Sequence, residues 1–232
     1  MRTFKVGLLW VIAAVAVLAT AYAAPGGATL NPATPNDNGV YPSPSAGTVD
    51  ITSGHIYQTN LTTEMSTYHW AGIYGNASGT LVLGDTSSNK MFEWDAKASY
   101  VFFDDDNTVS WDNLDAATCT QVEGNFTFLQ GTISDSCDET FTGTGDPAFK
   151  SIADNVANTI AANTYDSSAT ANWVTYALSD TSNADIVFAA EVKATADDAY
   201  DGTYSNYQVI LPENGNNNDS NPTTYYVWIE LY

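Results

Sequence analysis

Basic residues are scarce in this chain. Of its 232 residues only six are Lys or Arg, against 27 Asp and Glu. Arg2 and Lys5 both lie at the very start. Without them four lysines, no arginine and the same 27 acids remain, a formal charge of −23. Nucleic-acid binding needs clustered Lys and Arg to neutralise phosphates, so that class is excluded. Anionic lipid surfaces are disfavoured for the same reason, whereas strong acidity keeps an exported chain in solution and suits a saline habitat or bound divalent cations. Cysteine is scarcer still, with Cys119 and Cys137 alone. A zinc site needs about four ligands, and His55 and His69 do not stand at ligand spacing with these cysteines.

Catalytic signatures are missing as well. There is no G-x-S-x-G, since GNASG at Gly75 has the wrong spacing, and no HExxH, CxxCH or Gly-rich phosphate loop before a helix. Glycoside hydrolysis needs only two carboxylates a set distance apart. Glu64, Glu93, Glu123 and Glu191 are the glutamates nearest strand-like segments, but nothing singles out a pair. The expectation is a protein that is not an enzyme and needs no cofactor, with calcium as the one ligand to consider.

What is present starts with a targeting segment. MRTFKVGLLWVIAAVAVLATAYAAPGG has Arg2 and Lys5 before an apolar stretch, then Ala21-Tyr22-Ala23 as small residues for cleavage. Residues 1–23 read as a secretory signal peptide. A membrane anchor is disfavoured because the apolar run is only about 16 residues, short of the ~20 a bilayer needs. A pilin-type leader is disfavoured because Lys5 is misplaced relative to Gly7, and Pro25-Gly26-Gly27 would break the helix. No membrane span is expected after cleavage. In an exported chain the two cysteines read as one disulfide closing residues 119–137, worth roughly 3 kcal/mol.

Residues 24–46 hold five of the eight prolines and read as a Pro/Gly/Asn-rich tail. From Gly47 to Tyr232 the pattern is that of one domain. GTVDITSGHIYQTNL alternates Val49, Ile51 and Ile56 with polar residues. KMFEW, SYVFF, TVSW, NFTFLQG, NWVTYALS, DIVFAAEVKA, YQVIL and TTYYVWIELY follow, each bounded by turn residues. About ten short strands predict an all-β fold, a β-sandwich or jelly-roll. One helix is predicted over about 147–162. Asp146 would cap it, Pro147 would open it, and Phe149, Ile152, Val156 and Ile160 recur at helical spacing.

Asn60, Asn76, Asn125 and Asn218 each begin an N-x-Ser/Thr triplet and are glycan acceptor candidates. Asn76 is the best placed, bracketed by Gly75 and Gly79 in a hairpin-like bend. The acidic run FFDDDNTVSWDNLD offers a calcium candidate at Asp104, Asp106 and Asp112. Counted as a twelve-residue loop, however, it has Val109 where the turn needs glycine and Asp115 where a bidentate glutamate belongs. Asp197, Asp198 and Asp201 form a weaker acidic group. Trp70, Tyr74, Trp94, Trp111, Trp173 and Trp228 read as core packing ahead of sugar stacking.

The stretch Trp70-Ala-Gly72-Ile-Tyr74-Gly75-Asn76-Ala-Ser78-Gly79-Thr-Leu81-Val-Leu83-Gly-Asp85, followed by Phe92-Glu-Trp94, resembles secreted archaeal cell-surface proteins. It is also similar in style to the β-sandwich subunits of archaeal extracellular filaments, a likeness that covers roughly residues 47–95. The resemblance implies a glycosylated subunit assembled outside the cell. It also implies an N-terminal strand given to the next subunit, here Gly39-Val40-Tyr41 or Thr48 to Thr52. The reading reached is a secreted structural protein of the cell surface that self-associates by β-strand addition. The alternative is an extracellular carbohydrate-binding or adhesion module, calcium-dependent if the acidic loop holds an ion.

Overall fold

The computed structural model describes residues 24–30, 41, 44–131, 133–152, 155–213 and 222–232. The signal peptide at 1–23, most of the tail between 31 and 43, and the acceptor candidate Asn218 lie outside the described residues.

The fold is all-β, as the strand pattern predicts. In chain order the strands are β1 (Gly26–Gly27), β2 (Trp70–Gly75), β3 (Gly79–Gly84), β4 (Lys90–Ala96), β5 (Ala98–Asp104), β6 (Leu114–Ala116) and β7 (Gly143–Gly145). Then come β8 (Thr159–Tyr165), β9 (Ala171–Asp180), β10 (Asp185–Glu191), β11 (Asp197–Asp198), β12 (Tyr204–Ser205), β13 (Tyr207–Pro212) and β14 (Tyr226–Leu231). The main sheet runs β1-β14-β5-β10-β9-β8-β7, with β6 on β9. Three two-stranded ribbons, β2–β13, β3–β4 and β11–β12, complete it. Every pairing is antiparallel.

The central strands are continuous apolar runs because both faces of the sheet are covered. In β5, Val101 and Phe103 enter one core while Tyr100 and Phe102 enter the other. Strand β10 does the same with Ile186, Phe188 and Ala190 against Val187 and Ala189. Side chains alternate across a strand, so an unbroken apolar run requires a lid on each side. On the first face the lid includes Val209 and Leu211 of β13, together with Val122, Phe126, Leu129 and Phe141. Those last four come from two short helices, α1 (Cys119–Asn125) and α2 (Cys137–Thr140), and the turns that follow them. On the second face Leu114, Phe149 and Val156 supply the cover. The result is sandwich-like, a broad sheet under a narrower second layer.

Among the described residues the helix predicted over 147–162 is not formed. Asp146 does not cap a helix. Its carboxylate accepts from the Asn158 N–H at 2.8 Å and closes a loop instead. Val156 N–H donates to the Pro147 carbonyl across the same loop. The supposed stripe is split by the sheet. Phe149, Ile152 and Val156 pack on the second core, whereas Ile160 lies in β8 and packs on the first. The helices form where Thr118 and Gln121 make a reciprocal capping box, and where Ser136 caps Glu139. NFTFLQG, predicted as a strand, instead ends α1 and makes a 3-10 turn at Thr127–Leu129. TVSW is likewise no strand, since Trp111 opens another such turn.

Residues 44–69 form no strand despite their alternation. Val49, Ile51 and Ile56 stand 67%, 76% and 101% exposed. A strand pattern needs a neighbouring ladder, and no described strand supplies one here.

Candidate functional site

The sheet register brings three carboxylates to one end of β5 and β10. Phe103 faces Phe188 across the two strands, so the last residue of β5, Asp104, and the next, Asp105, lie beside the first residue of β10, Asp185. One oxygen from each falls within 4.8 Å of the others. Asp104 is fully buried, Asp185 half-buried and Asp105 exposed. Asp104 Oδ1 accepts from the Asp106 N–H at 2.9 Å, but its buried Oδ2 has no hydrogen-bond partner. Asp185 Oδ1 accepts from Asn125 Nδ2 and the Ile186 N–H, both at 2.8 Å.

Electrostatics follow from that crowding. Burial pushes the Asp104 carboxyl up to about 8, with Asp185 and Asp105 adding to the rise and the Asp106 N–H opposing it. Burial and Asp185 also raise Asp105. The Tyr225 phenol, donating to the Pro212 carbonyl at 2.7 Å, is raised far above its ordinary range by burial. Asp105, Asp104, Glu213 and Asp185 then add to that rise. Glu213 Oε1 is a second buried oxygen without a partner.

The calcium candidate therefore keeps Asp104 and loses its other two members. Asp106 is a turn former, its Oδ1 accepting from the Thr108 N–H at 2.8 Å. Asp112 sits exposed in the turn Trp111–Asn113. Counting positions along one loop left out Asp105 and Asp185, which the fold brings beside Asp104. A charged residue at the head of the apolar run IVFAA was the available signal for Asp185, but only the strand pairing places it beside Asp104. The weaker group at Asp197, Asp198 and Asp201 is otherwise engaged. Lys193 and Asn172 hold Asp197 down to about 2. Asp201 accepts from Tyr74 OH and the Thr203 N–H.

The other sequence candidates fall as follows. Cys119 and Cys137 form a disulfide that joins α1 to α2. Asn60 and Asn76 are exposed, Asn76 in the bend between β2 and β3. The amide of Asn125 donates to Asp185 and so belongs to the acidic site. Trp70, Trp173, Trp111 and Trp228 pack into or against the cores, as the aromatic pattern predicts, while Trp94 is exposed beside Phe92 on β4. Those two rings are tilted by 53°, so they do not make a flat sugar platform. His69, at the head of the resembling stretch, is an anchor. Its Nδ1 lies 2.9 Å from Asp135 Oδ2, and Trp70 Nε1 donates to the Asp135 carbonyl at 2.7 Å.

Among the four glutamates near strands, Glu64 accepts from Tyr41 and Glu93 pairs with Lys90. Among the described residues no helix is long and apolar enough to cross a membrane. In comparisons with known proteins, no family model, curated protein or solved structure matches the chain.

Proposed function

We propose that this chain is a secreted structural protein of the cell surface whose copies join by β-strand addition. One observation carries the reading. Residues 47–61 carry the strand-like pattern of Val49, Ile51 and Ile56, expose those three side chains, and pair with no strand among the described residues. A second copy that offers a sheet edge would supply the missing ladder, main chain giving affinity and alternate side chains giving register. The rim of the main sheet already takes up such a segment. β1 adds Gly26 opposite Ile229 and Gly27 opposite Trp228, and the Ala28 N–H donates to the Val227 carbonyl at 2.8 Å. A side chain added at either glycine would meet nothing within 4 Å, so this rim admits larger residues.

The hairpin β3–β4 adds an adhesive surface. Leu81, Val82, Leu83, Met91, Phe92 and Trp94 are all 41% to 82% exposed. The register sets Leu81 beside Trp94 and Leu83 beside Phe92 on one face, and exposed apolar surface of that kind marks an interaction site. The disulfide suits an oxidising, extracellular location, the leader supports export, and the resemblance of Trp70–Asp85 to archaeal surface proteins points the same way.

The test is electron microscopy and light scattering of protein taken from its native surface, beside a variant lacking residues 44–66. Ordered polymers that the deletion disperses are the expected result. A monodisperse native monomer, or polymers unchanged by the deletion, would overturn the reading.

A further inference from the structure

We propose that Asp104, Asp105 and Asp185 form a calcium site that ties the end of β5 to the start of β10. The donor set is all carboxylate oxygen, the chemistry of a hard cation, with no nitrogen or sulfur ligand among them. An acidic cluster alone would carry little. The independent observation is Asp104 Oδ2, an ionisable oxygen fully buried and without a donor among the described residues, in a side chain that abuts two other carboxylates. Buried polar groups are almost always satisfied, and the exceptions call for a partner.

No nearby lysine provides one. The ion pairs among the described residues are His69–Asp135, Lys90–Glu93 and Lys193–Asp197, none of them at this cluster. A cation between the three oxygens satisfies Asp104 Oδ2 and removes the mutual repulsion together. Asn125 and the Ile186 N–H engage Asp185 Oδ1, which leaves its second oxygen for the ion and fixes the carboxylate plane. Exposed Asp105 gives the entry side, where water completes the shell.

The spacing accommodates calcium. Oxygens up to 4.8 Å apart can share a calcium at its usual 2.3–2.6 Å, because opposed ligands then lie roughly 4.6–5.2 Å apart. Magnesium, at about 2.0–2.1 Å, requires them within roughly 4.2 Å and a near-ideal octahedron.

The experiment titrates CaCl2 into the full chain after EDTA treatment, by calorimetry and by melting, with MgCl2 in parallel. One saturable calcium site is expected, with Tm rising roughly 5–10 °C at a hundredfold excess over Kd. Asp185→Asn should weaken binding about tenfold or more, and Asp104→Asn likewise. Asp112→Asn, an exposed acid outside the cluster, should leave it unchanged. If Asp185→Asn fails to fold, Asp105→Asn at the exposed position carries the same test. Absence of saturable uptake would overturn the site and leave a proton shared by Asp104 and Asp185. Uptake insensitive to the Asp104 and Asp185 variants would also overturn it, since the acidic surface would then be gathering counterions diffusely.

Discussion

The Cys119–Cys137 bond allows the contribution of a single cross-link to be measured cleanly. It closes a loop with a sequence separation of 18, joining α1 to α2 over the first core. In the chain-entropy account a loop of this length contributes roughly 3 kcal/mol by restricting the unfolded ensemble. For a chain of this size each kcal/mol moves Tm by about 2–4 °C, so reduction should lower Tm by roughly 6–12 °C. Two perturbations separate loop closure from packing. Dithiothreitol cleaves the bond and leaves both sulfurs, whereas the double variant Cys119→Ala, Cys137→Ala also removes atoms from the fully buried Cys137 site. The assay is far-UV circular dichroism melting with thiol titration on the same sample. The double variant should melt a few degrees below reduced wild type, since truncating a buried side chain costs on the order of 1 kcal/mol beyond the lost cross-link. A fall below about 2 °C with two thiols titrated would refute the reasoning and mean that packing alone closes this loop in the unfolded chain.

Phe102 is fully buried, with the rings of Trp111 and Phe149 5.0 and 5.3 Å away. Phe102→Ala should cost about 3–5 kcal/mol, read as a fall in the urea midpoint without a change in slope. Asp135 supplies a pH dependence with a definite sign. Burial opposes its ionisation, but hydrogen bonds from Thr67 and His69 overcome that and hold its carboxyl below the usual range. A lowered folded-state value stabilises the protein above about pH 4, and the contribution is lost as pH falls through that lowered value. Wild type should therefore melt above Asp135→Asn at pH 6, with the gap narrowing as the pH falls through the lowered folded-state value. A gap that widens on acidification would show the sign to be wrong. Asn76 lies exposed in the β2–β3 bend. Asn76→Gln should remove the mass of one glycan from protein purified from its native cells, read by intact mass spectrometry, and an unchanged mass would show that the acceptor is unused.

Legibility in the sequence followed strand-forming runs and not burial, since exposed KMFEW was as readable as buried SYVFF. KMFEW, SYVFF, NWVTYALS, DIVFAAEVKA, YQVIL and the final strand are all strands of the fold, because β-branched and aromatic runs between turn residues carry their own evidence. Phe149, Ile152, Val156 and Ile160 misled because a 3.6-residue period is compatible with a loop on one face that leads into a strand on the other. The buried positions are right and the backbone is wrong. Val49, Ile51 and Ile56 misled in the opposite direction, since their period is strand-like and their chain offers no partner. At the acidic site Asp104 was visible as part of a run of acids. Asp185 was not, because pairing between β5 and β10 is a long-range fact that no window of adjacent residues contains.

The place of β14 between β1 and β5 has a consequence for timing. Until residues 226–231 are available, β5 is an edge strand with Val101 and Phe103 on one face and Tyr100 and Phe102 on the other. An apolar edge of that kind readily pairs with the wrong chain. The sheet cannot be sealed piecewise as the chain emerges, and its completion depends on contacts between distant segments, which form slowly. A chain built this way carries its greatest risk of aggregation in the interval before β14 arrives to cover β5.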